Sequence, residues 1–254
     1  MPTAEADNHP MNQSREAHAG ILLALDNASH AATRPDTVRM LAVSKTRPVA
    51  DIATLVEAGQ RAFGENYVQE ALPKIDALRA LGLEWHLIGH LQSNKAPEAA
   101  RAFDWVQTLD RAKLVPLLAR HRPADMPPLN VLVQVNIDDE ASKHGCTPTD
   151  AMALANLIAA EPRLRLRGLM AIPAPHEDPQ RRAHAFRAMR ELFDAMCEQH
   201  PGIDTLSMGM SEDFVAAIAQ GATMVRIGSA LFGPRAAPQQ DALQLSAPQQ
   251  ETNP

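Results

Sequence analysis

The chain has 254 residues, with 24 basic against 30 acidic side chains and a net charge of −6. That balance gives no field that would gather nucleic acid or an anionic membrane surface. Hydrophobic residues make up 45% of it, enough for a sizeable core, yet no apolar run approaches the ~18 residues of a membrane-crossing helix. Cys146 and Cys197 stand far apart and outside any CxxC spacing, which argues against a disulfide framework or a structural zinc site. The N-terminus lacks a basic region followed by an apolar one, so no signal peptide is expected and the cytoplasm is the expected compartment.

Residues 1–12 are polar and are expected to be disordered, and an extra helix is expected around 13–32. Eight β-like runs then alternate with helical patterns. The first four are "VRMLAVSKT" (38–46), "RAFGEN" (61–66), "EWHLIGHL" (84–91) and "FDWVQTLD" (103–110). The second four are "LNVLVQVNI" (129–137), "LRLRGLMAI" (164–172), "TLSMGM" (205–210) and "MVRIGSAL" (224–231). Between them, segments such as "VADIATLVEAG", "QEALPKIDALRAL" and "TDAMALANLIAAE" repeat apolar residues at i, i+3, i+4 and i+7. Eight strand–helix units close naturally as a parallel (β/α)₈ TIM barrel, an α/β fold filling residues 13–234. The tail 235–254, rich in Pro, Gln and Ala without a periodic apolar face, is expected to be disordered.

In such a barrel the active site lies at the C-terminal ends of the strands, and the unusual residues of this sequence fall there. Strand one ends at Lys45, whose spacing places it on one face with Leu41 and Val43. Strand two ends at Asn66, strand three at His90 and Gln92, strand five at Asn136. After strand seven, Ser211 occupies a helix N-cap position before "EDFVAAIAQG"; after strand eight, Gly228 and Ser229 open a short turn. Adjacent loops after strands seven and eight are a recurrent phosphate site in barrels. Arg226 shares a face with Gly228 and neighbours strand one if the barrel closes.

A lysine at that mouth, partly desolvated and beside a guanidinium, is an amine nucleophile for a carbonyl. Amine, phosphate cradle and inward arginine together point to pyridoxal phosphate. Solvated strand-end residues and ordinary capping are the plain alternatives, and a phosphosugar-binding barrel would keep the phosphate site without needing Lys45. No GxGxxG or Walker loop is present, which argues against dinucleotides and nucleoside triphosphates. His86 and His90 are four apart on one strand face, a conceivable metal pair, but without a helical setting they read as core or lip histidines and no metal is expected. The acids of "DDEASKHG" read as a solvated loop.

The stretches "LAVSKTRP", "FGENYVQE", "WHLIGHLQSNK", "VNIDDEASKHG", "LRGLMAIP" and "LSMGMSEDFVAAIAQGATMVRIGSALFG" occur in this order over residues 20–234. Together they closely resemble the pyridoxal phosphate homeostasis proteins, whose barrel is similar to the N-terminal half of alanine racemase, the fold-type III arrangement. The resemblance implies that Lys45 carries the cofactor as a covalent internal aldimine. It also implies that Ser211, with the backbone around Gly228 and Ser229, holds the phosphate; Arg226 lies near the pyridine nitrogen and Asn66 near the cofactor. The implied role is to hold and release pyridoxal phosphate in vitamin B6 homeostasis, with transient contact to apo-enzymes and a monomeric state expected. An amino-acid racemase is the alternative, but it needs a second proton-transfer group. The chain's one tyrosine, Tyr67, is turned away by strand alternation if Asn66 faces the cofactor.

Overall fold

A computed structural model of the chain describes residues 10–32, 38–140, 143–174 and 178–233. The expected disordered segments fall outside these residues, apart from residues 10–12, which already belong to the first helix, α1 (Pro10–Ala31). The first half of the barrel is β1 (Arg39–Val43), α2 (Val49–Glu57), β2 (Ala62–Glu65), α3 (Val68–Ala77), β3 (Glu84–Leu87), α4 (Ala96–Ala102), β4 (Trp105–Leu109) and α5 (Leu114–His121). The second half is β5 (Leu129–Val135), α6 (Pro148–Ala159), β6 (Leu164–Ala171), α7 (Pro179–Gln199), β7 (Thr205–Met210), α8 (Phe214–Ala219), β8 (Met224–Ile227) and α9 (Ser229–Phe232). The eight strands pair in chain order, all in parallel, and β1 closes on β8. The (β/α)₈ barrel is therefore the observed architecture.

Local chemistry explains the element boundaries. The Thr147 hydroxyl accepts the Asp150 N–H and Pro148 stands at the first helical position, so α6 starts where the sequence supplies both signals. Asp178 caps α7 in the same way through Gln180 N–H, again with a proline following. Several strands are shorter than the apolar runs suggest. The run 224–231 is strand only to Ile227, because "SALF" turns into the single-turn helix α9. The run 38–46 pairs as strand only to Val43.

Parallel strands wrapped by helices have two buried faces, and the core divides accordingly. The large outer cluster, with Phe63, Phe103, Leu118, Ile158, Phe186 and Met208 among its members, lies between the strands and the helical layer. Inside the barrel are two smaller clusters: Leu41, Ile88 and Met224 with Val43, and Trp105, Leu132 and Met170 with Ile172. Trp105 stacks on His86 at 5.0 Å, and the guanidinium of Arg167 lies over its ring at 4.5 Å. The barrel lumen is packed among these residues, and a cavity opens toward the strands' C-terminal ends.

Leu132 is fully buried in that inner packing, so Leu132→Ala should cost about 2–5 kcal/mol in urea unfolding. A loss under about 1 kcal/mol would mean that the lumen is not packed as described.

Candidate functional site: a cavity at the barrel mouth

A cavity of about 510 Å³ opens at the C-terminal ends of the strands, within the ordinary range for a small-molecule site. Lys45, Asn66, Ser211, Arg226, Gly228 and Ser229 all line it. These six are the residues that the resemblance assigns to the cofactor, brought together from four strand ends, whereas His90, Gln92 and Asn136 do not line the cavity. The cavity also contains Arg47, Glu212 and Asp213, and its apolar wall includes Val43, Ile88, Ile172 and Met210.

Lys45 lies two residues beyond the end of β1, in the turn that follows it, rather than as the last strand residue. The turn is pinned on both sides of the lysine. Before it, the Ser44 N–H donates to Gly64 O at 3.0 Å and the Ser44 hydroxyl to Glu65 at 2.6 Å. After it, Thr46 adopts a left-handed φ of 62° and its N–H donates to the Glu70 carboxylate. A β-branched residue in that region is strained, and it persists because its neighbours fix it.

Those neighbours converge on Lys74, which projects from α3. Its ammonium donates to Ser44 O at 2.9 Å, Glu65 at 2.9 Å and Glu70 at 2.7 Å. The Lys74 side chain is 8% exposed and that of Glu65 is 0% exposed. Burial pushes the Glu65 carboxyl above its ordinary range, against the pull of Lys74 and Ser44. Sequence reading missed this clamp. Glu70 and Lys74 are spaced i, i+4 in α3, which by itself reads as an ordinary solvated helix pair.

Arg226 projects from β8 level with Leu41 of β1, as closure of the barrel requires. Its side chain is buried, and burial holds its pKa down to about 10, with Asp213 pulling the other way. It is therefore charged at neutral pH. One nitrogen donates to Ala171 O at 2.8 Å and another to the Ser207 hydroxyl at 2.8 Å. A guanidinium has five N–H donors, so capacity remains for a molecule in the cavity.

From Arg226 a chain of side chains runs down the lumen. The Ser207 hydroxyl donates to Gln107 Oε1 at 2.8 Å, and Gln107 Nε2 donates to His86 Nδ1 at 2.9 Å. His86 Nε2 faces Glu84 at 2.7 Å, and Arg39 pairs with the same carboxylate at 2.5 Å. Each link fixes the next. Because Nδ1 must accept from the glutamine, the proton of a neutral imidazole sits on Nε2 and points to Glu84. Burial depresses the His86 pKa below its usual value despite Glu84, so the ring is neutral in the folded protein. Burial also opposes ionisation of Glu84, but hydrogen bonding to His86 and the charge of Arg39 outweigh it and bring the carboxyl to about 2. His86 is thus a lumen link in this chain rather than the partner of His90.

The two loops after β7 and β8 meet as the spacing predicts, with the hydroxyls of Ser229 and Ser211 3.5 Å apart. Ser211 is not the N-cap of the following helix. Asp213 takes that position, and its carboxylate accepts the Met210 N–H at 2.6 Å, which closes the turn one step before Phe214. Ser211 therefore stands free of capping geometry, on the turn facing Ser229. Gly209, at φ 92°, lets this segment lie against α8, where a side chain would strike Ala217. Gly89 plays a similar part beside Asn66, because a Cβ there would collide with the Asn66 backbone. Arg47, two residues after Lys45, donates to Gly233 O at 2.5 Å and lies over the Phe232 ring at 5.4 Å. It ties the end of α9 to the lysine turn and adds positive charge to the cavity wall.

Two other residues lie elsewhere. Asn136 closes the β5 loop through Glu140 O at 2.9 Å and is absent from the cavity wall. Tyr67 starts α3 with 61% of its surface exposed and does not line the cavity either.

A closed parallel barrel with a basic, hydroxyl-lined cavity at its mouth defines the class, and the comparisons agree. The chain belongs to the family described as alanine racemase, N-terminal domain, which matches residues 25–236. Within that class it belongs to the pyridoxal phosphate homeostasis proteins. The protein of that name from Escherichia coli K12 is 52% identical over 217 residues, covering 83% of this chain and 93% of the relative. The one from Pseudomonas aeruginosa is 50% identical over 226 residues, covering 89% and 97%. Among solved structures, PipY of Synechococcus elongatus with PLP bound superposes with a TM-score of 0.77 at 35% identity, over 87% of this chain and all of that one. Alanine racemase from Corynebacterium glutamicum shares the fold, with a TM-score of 0.62 at 18% identity over 62% of its length.

Two measurements test this geometry. Lys74→Met leaves the buried Glu65 carboxylate without its cation and should cost about 3–5 kcal/mol, much of it recovered when Glu65→Gln is added. Additive losses in that cycle would show the pair to be uncoupled. The depressed His86 pKa sets a pH dependence: the unfolded chain takes up a proton below pH 6.5 that the folded ring resists. Stability should therefore fall on acidification from 6.5 toward about pH 5, by at most about 1.4 kcal/mol per pH unit. In His86→Gln the slope over that window should flatten; an unchanged slope would assign the dependence to other groups.

Proposed function

We propose that this chain binds pyridoxal 5'-phosphate at the barrel mouth and serves intracellular vitamin B6 homeostasis by holding the cofactor reversibly and giving it up. The observation that carries the reading is the arrangement of the wall: one lysine, one buried guanidinium and two facing hydroxyls around a cavity of about 510 Å³. The donor set fits the group. The cofactor brings an aldehyde that an amine can capture in a reversible covalent bond. Lys45 is the amine at the mouth. Ser211, Ser229 and the backbone at Gly228 form the corner for the phosphate, where the first N–H groups of α9 are unused by the helix itself. With the cofactor held there, Arg226 would stand toward the ring nitrogen and Asn66 would border the ring.

A charged arginine at the ring nitrogen disfavours protonation there and weakens the ring as an electron sink. The exposed position of Tyr67 leaves no tyrosine to act as a second base opposite Lys45. Both features favour a carrier over a racemase. We read the chain as a non-enzyme that acts alone and meets apo-enzymes only in passing. Among the described residues no helix is long and apolar enough to cross a membrane.

Borohydride treatment of the loaded protein should attach the cofactor to Lys45, as read by peptide mapping, and Lys45→Ala should abolish the adduct. Capture on another lysine would refute the assignment. Loaded protein mixed with L- and D-amino acids should exchange the α-proton no faster than free cofactor does, and turnover well above that would make it an enzyme. Transfer to an apo-enzyme faster than spontaneous release would support delivery, whereas equal rates would reduce the role to buffering.

A further inference from the structure

The ends of β3, β4 and β5 lie across the barrel ring from β8 and carry a group of side chains that the cofactor cavity does not use. His90 follows β3, Asp110 follows β4, and His144 lies in the loop after β5. One ligand atom from each lies within 4.8 Å of those of the other two. His90 Nδ1 stands 3.5 Å from Asp110 Oδ2, and the two imidazoles stack with centroids 3.8 Å apart.

The support around these residues is ordered. The Asp110 side chain is only 8% exposed. Its other oxygen, Oδ1, receives the Arg111 guanidinium at 2.5 Å, and Arg111 also donates to Leu91 O at 2.7 Å. One carboxylate oxygen is thus fixed from behind while the other is presented to the imidazoles, as in metal sites whose carboxylates are held by an outer hydrogen bond. The His144 loop is fastened to β5 by Cys146 N–H to Gln134 O at 2.9 Å and Gln134 Nε2 to His144 O at 3.1 Å.

We propose that His90, Asp110 and His144 form a binding site for a divalent first-row transition ion at the lip of the barrel. Two imidazole nitrogens and one carboxylate oxygen favour such ions over calcium or magnesium, which take oxygen ligands. Three protein ligands leave the remaining coordination positions to water or to a small molecule. At metal–ligand distances of about 2.0–2.2 Å the donor atoms of a tetrahedral site stand about 3.4 Å apart, close to the His90–Asp110 separation already present. Parallel rings cannot both direct a lone pair at one ion, so binding requires the two histidines to unstack. Both are exposed and can turn.

The test uses full-length protein titrated with Co²⁺ and Zn²⁺. One Co²⁺ per chain should give a ligand-field absorption spectrum that Zn²⁺ abolishes, and the Co²⁺ should broaden the His90 and His144 ring signals in NMR. His90→Ala and His144→Ala should each weaken binding at least about tenfold, and Asp110→Asn should do the same, whereas Cys146→Ser should not. The two histidine variants remove exposed side chains, and circular dichroism should show them folded; the NMR mapping needs no variant at all. Binding that survives in the His90→Ala/His144→Ala double variant, broadening confined to other histidines, or no binding at millimolar ion would overturn the proposal. None of these readouts requires pyridoxal phosphate, so failure here would leave the cofactor reading intact.

Discussion

A guanidinium buried inside the barrel is the constraint around which the rest of this molecule is arranged. A charge taken out of water is costly unless every donor finds an acceptor. Arg226 meets part of that requirement by donating to Ala171 O and Ser207, and the ordering is handed on through Gln107 and His86 to Glu84. The positive end of this chain is at the cavity and the negative end is at the barrel floor, where Arg39 and Glu84 pair. Donor and acceptor roles are fixed all along it, so each lumen side chain has one orientation. The packed lumen and the aim of Arg226 are therefore two aspects of one network.

The lysine is held by a second network on the outer side of the sheet. Lys74, Glu65 and Glu70 grip the backbone at Ser44 and Thr46, on either side of Lys45. The two networks do different work. The outer one fixes where the Lys45 main chain lies while the long side chain stays at the mouth. The inner one places a fixed charge against the cavity. On the proposed reading, a lysine whose backbone is pinned on both sides and which stands beside a buried guanidinium suits reversible capture of an anionic aldehyde better than it suits proton shuttling.

Much of this was legible in the chain itself. The alternation of period-two and helical patterns specified eight strand–helix units, because a parallel strand buried on both faces and a helix buried on one face leave distinct traces. The position of Lys45, Asn66, Ser211, Arg226, Gly228 and Ser229 at strand ends followed from that count. What could not be read was any property created by a partner remote in sequence. Lys74 and Glu70 have the spacing of a surface ion pair, and only the packing of α3 beside β2 buries Lys74 against Glu65. His90 pairs with His144 rather than with His86, because its strand neighbour turns into the lumen while the loop after β5 brings another imidazole to the lip. The N-cap position fell to Asp213 instead of Ser211, with the Asp213 carboxylate turned back to the Met210 N–H, because the geometry of the turn and not the residue type sets where the helix begins.

Sequence alone determined the barrel, the side of the barrel that carries chemistry, and the residue types available there. These follow from local periodicity and from the rule that parallel barrels present their strand ends on one face. Tertiary structure alone decided which polar groups are buried, which tautomer His86 adopts, how Lys45 is fixed and which three side chains gather beyond the mouth cavity. Those properties depend on desolvation and on distances between residues up to 186 positions apart, as between Arg47 and Gly233. No local pattern encodes such distances; closure of the barrel does.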